Sequence, residues 1–307
     1  MASAGRNKPP DVVGIGAVAW DRFLVVPRFP RPDEKIRAIQ CEECAGGTVA
    51  TALVALQRWG LGSRLVSVIG YDQESDRILE VLHEESVDAS YLIRRRDAEA
   101  RRSVILVDNR NGHRCVVSGP HKVPPIEPGD LKAEWFEGAR VLHLDTTVDE
   151  CALEAARMAR SLGLTVTLDA ERMTPRIAEL LPQCDTVIAS YDFAVEATGQ
   201  EKLSLAAYGL YLKSGRPTVV THGGEGCEYV SADQQFFQPA FKAPVVDGTG
   251  AGDVFHAAYI FGLLAAWDVK DVVRFAAWAA SQACRELSGR KGIPSAEAVK
   301  EFHKRGP

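Results

Sequence analysis

The sequence predicts an α/β fold, with a mainly parallel central sheet flanked by helices and a small β-sheet beside it. Three observations carry this prediction. From Arg140 onward short apolar strands alternate with helical runs, the pattern of a parallel sheet covered on both faces. Residues 90–118 break that rhythm with short extended pieces, and Asn109-Arg110-Asn111-Gly112 supplies the Asn-Gly signal of a hairpin. The chain of 307 residues is 46% hydrophobic and 25% charged, which suits a large packed core and excludes a disordered or fibrous protein.

Residues 1–10 read as a flexible polar start, ahead of a single domain over 11–307. Asp11–Ala19 reads as a buried strand, and Phe23–Val26 continues the extended pattern. Arg31, Pro32 and Asp33 mark a turn before a strand at Ile36–Cys44. After Gly46-Gly47, a helix is expected over Thr48–Trp59, because Ala52, Leu53, Leu56 and Trp59 recur at helical spacing; Gly60 and Gly62 end it. Leu65–Ile69 reads as a strand and Glu74–Ser86 as a helix opened by Asp72. Tyr91–Arg95, Ser103–Asp108 and Arg114–Ser118 join the extended stretches near Phe23 and Ile36 in the small sheet, so a lid is expected from segments around 22–44 and 90–118. The alternating part pairs Val141–Leu144 with Glu150–Ser161, Thr165–Leu168 with Pro175–Leu181, and Thr186–Ile188 with Phe193–Thr198. Thr218–Thr221, a hairpin around Tyr229–Phe237 and a long helix from Ala251 complete it.

Charge and cysteine usage narrow the function. A formal charge of −5 offers no basic face for nucleic acid or an anionic membrane. No run approaches the ~18–20 apolar residues of a membrane span, and Met1–Pro10 lacks the apolar core of a signal peptide. Seven cysteines scattered from Cys41 to Cys284 do not form a disulfide framework, so a cytoplasmic protein with reduced thiols is expected. Cys41-Glu42-Glu43-Cys44 has CxxC spacing without a second pair and lies on an expected strand, which argues against zinc.

The stretch richest in chemistry runs from Val245 to Phe255, where an apolar segment enters Asp247-Gly248-Thr249-Gly250-Ala251-Gly252-Asp253 and a helix begins. The first N–H groups of a helix lack internal partners and carry the positive end of its dipole, so they attract an anion. Asp253 sits in that first turn, where a carboxylate can take a hydroxyl proton or simply cap the helix. No Gly-Lys-Ser/Thr follows, so the loop is not a Walker A motif.

This loop resembles the C-terminal signature of the PfkB (ribokinase-like) carbohydrate kinases. Their N-terminal signature is matched by Ala45-Gly46-Gly47-Thr48-Val49-Ala50-Thr51-Ala52-Leu53 and by Val68-Ile69-Gly70-Tyr71-Asp72. Thr221-His222-Gly223-Gly224-Glu225-Gly226 resembles the nucleotide loop, and Gly289–Pro294 the closing Gly…Pro segment. The resemblance implies a ribokinase-like three-layer fold and ATP-dependent transfer to a primary sugar hydroxyl, with Mg²⁺ and, in many members, a response to K⁺. It implies Asp253 as base and Gly250, Ala251 and Gly252 as an anion hole. It places Asp21, Gly46, Gly47 and Thr51 on the sugar, and Thr221, Gly223 and Gly226, with Gly250 and Gly252, on the nucleotide. It puts the small residues of Ala276–Cys284 at the adenine, and lids in this family sometimes pair into homodimers.

Three departures stand out: Thr51 replaces a common Asn, Ser190-Tyr191-Asp192-Phe193 lacks the Asn and Glu of an Asn-x-x-Glu motif linked to Mg²⁺, and Gly248 replaces Thr or Ser. The metal ligands are therefore unassigned. Gln238–Lys242, Val254-Phe255-His256 and Thr167-Leu168-Asp169 resemble the ketohexokinase and sulfofructose-kinase branch. Lys35 matches a lysine that sulfofructose kinases place near their anionic group, and reads equally well as a solvated lysine. The region after Leu144 offers Asp145-Thr146-Thr147 and no arginine, which favours a neutral ketohexose or related sugar. A sulfonated or phosphorylated sugar, a nucleoside, or a sensing relative without catalysis are the alternatives. Asp169 and Glu171 follow a strand end, where they either orient Mg²⁺-bound water or cap a helix. His256 reads as packing beside the site, and the arginines of 94–96 and 101–102 as a solvated face from which one could reach a closed site.

Overall fold

The computed structural model describes residues 9–304. Of the start expected to be flexible, only Pro9 and Pro10 fall within it, and Pro10 is buried.

Eight strands form the main sheet, in the order Gln235–Pro239, Gly226–Val230, Thr218–Thr221, Thr186–Ser190, Thr165–Ala170, Val141–Asp145, Val12–Ile15 and Ser63–Val66. The six from Thr218–Thr221 onward run parallel, and the first two add an antiparallel hairpin at one edge. Strands such as Val12–Ile15 and Val141–Asp145 are buried along their whole length, as their near-continuous apolar runs require. One face packs against the helices Thr48–Arg58, Ala251–Leu264 and Val269–Ala283, with Leu53, Leu56, Tyr259 and Phe275 in the core. The other packs against Asp149–Ser161, Tyr191–Thr198 and Leu203–Ser214, through Ala155, Phe193 and Leu210. The helix Gln73–Glu84 is capped by Asp72, which accepts from Ser75 N at 2.8 Å, a contact worth about 1 kcal/mol.

The second sheet has four strands, in the order Gln40–Gly46, Ala19–Val26, Arg101–Asp108 and Arg114–Ser118. Here the structure corrects several sequence-based boundaries. Asp11–Ala19 is not one strand: the chain leaves the main sheet after Ile15 and enters the second at Ala19. A side chain at Gly16, in the connection between the two strands, would collide with Val49 and Asp145, so this passage requires glycine. Ile36–Cys44 shifts to Gln40–Gly46, and Leu65–Ile69 splits into Ser63–Val66 and Val68–Ile69. Tyr91–Arg95 does not belong to the lid sheet; Ile93–Arg94 pairs with Val68–Ile69 in a separate ribbon. Among the described residues, no helix is long and apolar enough to cross a membrane.

Candidate active site

The second sheet presents one of its faces to a cavity above the carboxyl ends of the parallel strands. Side chains alternate across a strand, and the register places Asp21 opposite Cys44 and Ser103, and Ser103 opposite Ser118. The alternate residues Ala19, Asp21, Phe23, Arg101, Ser103 and Ile105 therefore share the face that lines this cavity of about 410 Å³. Gly46, Gly47, Thr51 and Arg290 close its inner end. A Cβ at Gly46 would run into Asp21 Oδ2, so only glycine lets that carboxylate lie flat over the strand end.

The glycine-rich loop separates this cavity from a larger one of about 620 Å³. Thr249, Gly250 and Asp253 face the smaller cavity, whereas Gly248, Ala251 and Gly252 face the larger. Gly250 has φ 76° and is the residue before the helix Ala251–Leu264. A Cβ there would strike the backbone of Gly289, so the loop can approach that segment only without a side chain. Asp247 pins the turn: its Oδ1 accepts from Thr249 N at 2.9 Å and Oγ1 at 2.7 Å, and its Oδ2 accepts from Ser288 N at 3.0 Å. The helix thus starts between two cavities, its free amides and dipole aimed at their junction. Arg114, from the second sheet, lines both.

Acidic groups crowd this junction. Burial, Asp169 and Glu171 push Asp253 well above the ordinary carboxylate range, and Arg114 opposes them. Glu171 is raised to about 7, first by the charge of Asp169 and then by burial. Asp21 rises to about 6, mainly through burial, with a Ser103 hydrogen bond pulling the other way. Behind them His256 Nε2 lies 3.2 Å from Asp169 Oδ1, and both are buried. Burial holds His143 down to about 3, so it is neutral, and its Nδ1 meets Thr167 Oγ1 at 3.0 Å. Among the described residues no group of three His, Cys, Asp or Glu side chains converges to hold a metal.

Residues 9–296 match the model of the pfkB family carbohydrate kinases. The chain belongs to that family. It is a phosphotransferase with an alcohol group as acceptor. A nucleoside kinase of Methanothermobacter thermautotrophicus is 25% identical over 95% of each chain. The ketohexokinase of Mus musculus is 24% identical, over 92% of this chain and 98% of its own. The crystal structure of a Thermotoga maritima ribokinase superposes with a TM-score of 0.81, at 24% identity, over 95% of this chain and 99% of the other. Identities this even across different acceptors single out no branch, the ketose branch included.

Within this pfkB kinase, most residues expected at the site converge. Asp253, Gly250, Asp21, Gly46, Gly47 and Thr51 line the smaller cavity. Thr221, Gly223, Gly226, Ala251 and Gly252 line the larger, together with Ala277, Ala280, Ser281 and Cys284 of the helix expected beside adenine. Lys35 does not join them: it is exposed, lies outside any strand and lines neither cavity. Asp169 is consumed by His256, so of the two acids considered for metal-bound water only Glu171 reaches the cavity wall. Ser190, in the altered Asn-x-x-Glu segment, caps its helix by accepting from Phe193 N at 3.2 Å. Cys41 and Cys44, three apart on one strand, point to opposite faces, and only Cys44 lines the cavity. Sequence reasoning missed Ser103, Arg114, His121 and Arg290. Strand parity was the available signal for the first two, and adjacency to Gly289 for the last.

Proposed function

We propose that this kinase moves the γ-phosphoryl group of ATP from the larger cavity to a primary hydroxyl of a small sugar in the smaller one, with Asp253 as general base. One observation carries the reading: the helix start lies between the two cavities, with Asp253 facing one and Ala251 and Gly252 the other. In this reading the sugar O–H proton passes to the Asp253 carboxylate as the oxygen attacks phosphorus. The sugar O–P bond forms, the bond from phosphorus to the β-phosphate oxygen breaks, and ADP leaves. Charge on the equatorial oxygens in transit meets the unpaired amides of the helix start and the Arg114 guanidinium. The raised proton affinity of Asp253 makes it a stronger base than an exposed carboxylate.

Mg²⁺ would offset phosphate charge here, held mainly by nucleotide and water, as this ion often is. The carboxylate of Glu171, raised by the neighbouring charge of Asp169, fits an outer contact to such water. A K⁺ dependence is part of the same proposal, and turnover in KCl against NaCl tests it. The deciding experiment is ADP release on a sugar panel with the wild type and Asp253→Asn. Sugar-dependent turnover by the wild type, lost in the variant while both ligands still bind, supports the reading. Binding without turnover by the wild type refutes it in favour of a sensor.

A further inference from the structure

We propose that the sugar cavity is built for an acidic sugar, one carrying a carboxylate, phosphate or sulfonate group that the guanidinium groups of Arg101 and Arg290 receive. The proposal rests on the kinase reading above and names its substrate class. Three arginines, Arg101, Arg114 and Arg290, line the cavity, yet none has an Asp or Glu oxygen within 4 Å among the described residues. By contrast, arginines on the open surface, such as Arg22, Arg58 and Arg140, are paired with Glu43, Glu85 and Asp11. Arg114 has a use already, because it lines both cavities beside Gly248, where ATP phosphates are expected. Arg101 and Arg290 line only the sugar side.

Arg290 is 6% exposed. Its Nη2 donates to Gly46 O at 3.1 Å and its Nε to Thr51 Oγ1 at 3.4 Å, while Nη1 is buried with no partner. Thr51 thus gains a role exactly where the sequence departs from the common family Asn: its hydroxyl helps hold this guanidinium. Arg101 is half-buried, and its Nη1 lies 3.4 Å from His121 Nε2. His121 Nδ1 is 2.8 Å from Gly119 O. A carbonyl only accepts, so Nδ1 carries the proton and the Nε2 lone pair faces Arg101, orienting the guanidinium without neutralising it. The carboxylate whose charge Arg101 feels is Asp145. That group is already taken by Ala17 N, Thr48 Oγ1, Thr147 N and Thr147 Oγ1.

Burial is the largest influence on both guanidiniums and pulls them below their ordinary proton affinity, opposed by the charge of Asp145 on Arg101 and by those of Glu85 and Asp21 on Arg290, so their charges are held at a cost in the cavity. An oxyanion replaces that cost with charge-assisted, potentially bidentate hydrogen bonds; a neutral hydroxyl does so only weakly. The guanidinium sought after Leu144 is therefore supplied from the lid and from the segment after Gly289, which removes the reason for preferring a neutral ketohexose.

Matched sugars test this in the ADP-release assay: fructose, fructose 6-phosphate and 6-sulfonated fructose form one set, glucose and gluconate another. The expected result is an acidic member favoured over its neutral counterpart in kcat/KM by about 100-fold or more. Arg101→Ala and Arg290→Gln should each shrink that ratio roughly 10- to 100-fold, the loss expected for a charge-assisted pair, and Arg101→Lys should restore part of it. Which acid is preferred separates phosphate, sulfonate and carboxylate. Because Arg290→Gln alters the core, thermal melting checks its fold, and Arg101→Glu repeats the test from the lid. Neutral sugars turned over as well as acidic ones, or a ratio unmoved by Arg101→Ala and Arg101→Glu, would overturn the proposal while leaving the kinase reading intact. Acidic sugars that raise the melting temperature of the wild type but not of Arg101→Ala, with no turnover of any sugar, would uphold the anion site and overturn the kinase reading.

Discussion

The two walls of the proposed sugar cavity are built on different physical terms. One belongs to the main α/β body, where Asp253 and the glycine loop sit at the start of a helix packed into the larger core. The other is the four-stranded sheet, whose own core is small: Phe23, Val25, Ile105, Val107 and Leu287. Its edge strand Arg114–Ser118 is exposed throughout, with Val116 and Val117 about half exposed. Asp253 and the glycine loop, proposed for the reaction, stand on the densely packed wall with Arg114 reaching them from the sheet, and the groups proposed for recognition stand mostly on the wall with little burial to hold it. In the proposed reaction, closure of such a sheet over a ligand would exclude water at low cost and limit wasteful hydrolysis of ATP. The comparison predicts that damage to the body wall lowers kcat, and damage to the sheet raises KM.

The largest expected break is Asp253→Asn. The amide keeps the shape and loses the base, so kcat should fall by about 10²–10⁴-fold with sugar and ATP affinities nearly unchanged. Steady-state ADP release, with calorimetric binding of both ligands, checks it. A variant with near-normal kcat would remove the body wall from the chemistry. Gly250→Ala comes next. The new Cβ would meet the backbone of Gly289 at φ 76°, so the loop must shift, and a 1 Å displacement of such a site costs on the order of 100-fold in turnover. Its melting temperature should also drop. On the other wall, Gly46→Ala drives a methyl into Asp21. Sugar KM should rise roughly 10-fold or more, as for loss of a hydrogen bond to a charged group, with ATP KM within about 3-fold.

The difference between the walls also explains what could be read from the sequence. The body was legible because its signals are local and periodic: Thr48–Arg58 and the strands after Arg140 announce themselves by spacing. The Asp253 loop was legible because a glycine-rich strand-to-helix turn has a chemical meaning by itself. The sheet was harder. Nothing in Asp11–Ala19 marks where one sheet ends and another begins, since both halves are buried, and the close approach of Asp145 and Val49 that requires glycine at position 16 comes from distant parts of the chain. Tyr91–Arg95 looked like its neighbours and pairs elsewhere. Lys35 looked like a ligand because of the family pattern, yet it lies in an exposed loop before Gln40. Arg101, His121 and Arg290 come together from a sheet strand, the loop after Ser118 and the far end of the chain, a long-range juxtaposition that no local spacing encodes.

Titration sharpens the comparison with the smallest effects, because each wall carries its own raised carboxylate. Asp21, at about 6 in the free enzyme, must be ionised to accept fully from sugar hydroxyls, so kcat/KM should decline as pH falls through about 6. Ser103→Ala removes a hydrogen bond that lowers this value, and should move that limb to higher pH. Asp253 must also be ionised to take a proton, so kcat falls on the acid side and climbs as pH rises through its raised value. Glu171 raises Asp253 through like charge and Arg114 lowers it. Glu171→Gln should therefore carry the kcat limb to lower pH, and Arg114→Gln to higher pH, by about one unit or less. The two limbs are read from one experiment, kcat and KM across pH for the wild type and these variants. If Glu171→Gln shifts kcat/KM but leaves kcat untouched, Glu171 belongs with the recognition groups and the division of labour between the walls is wrong at that residue.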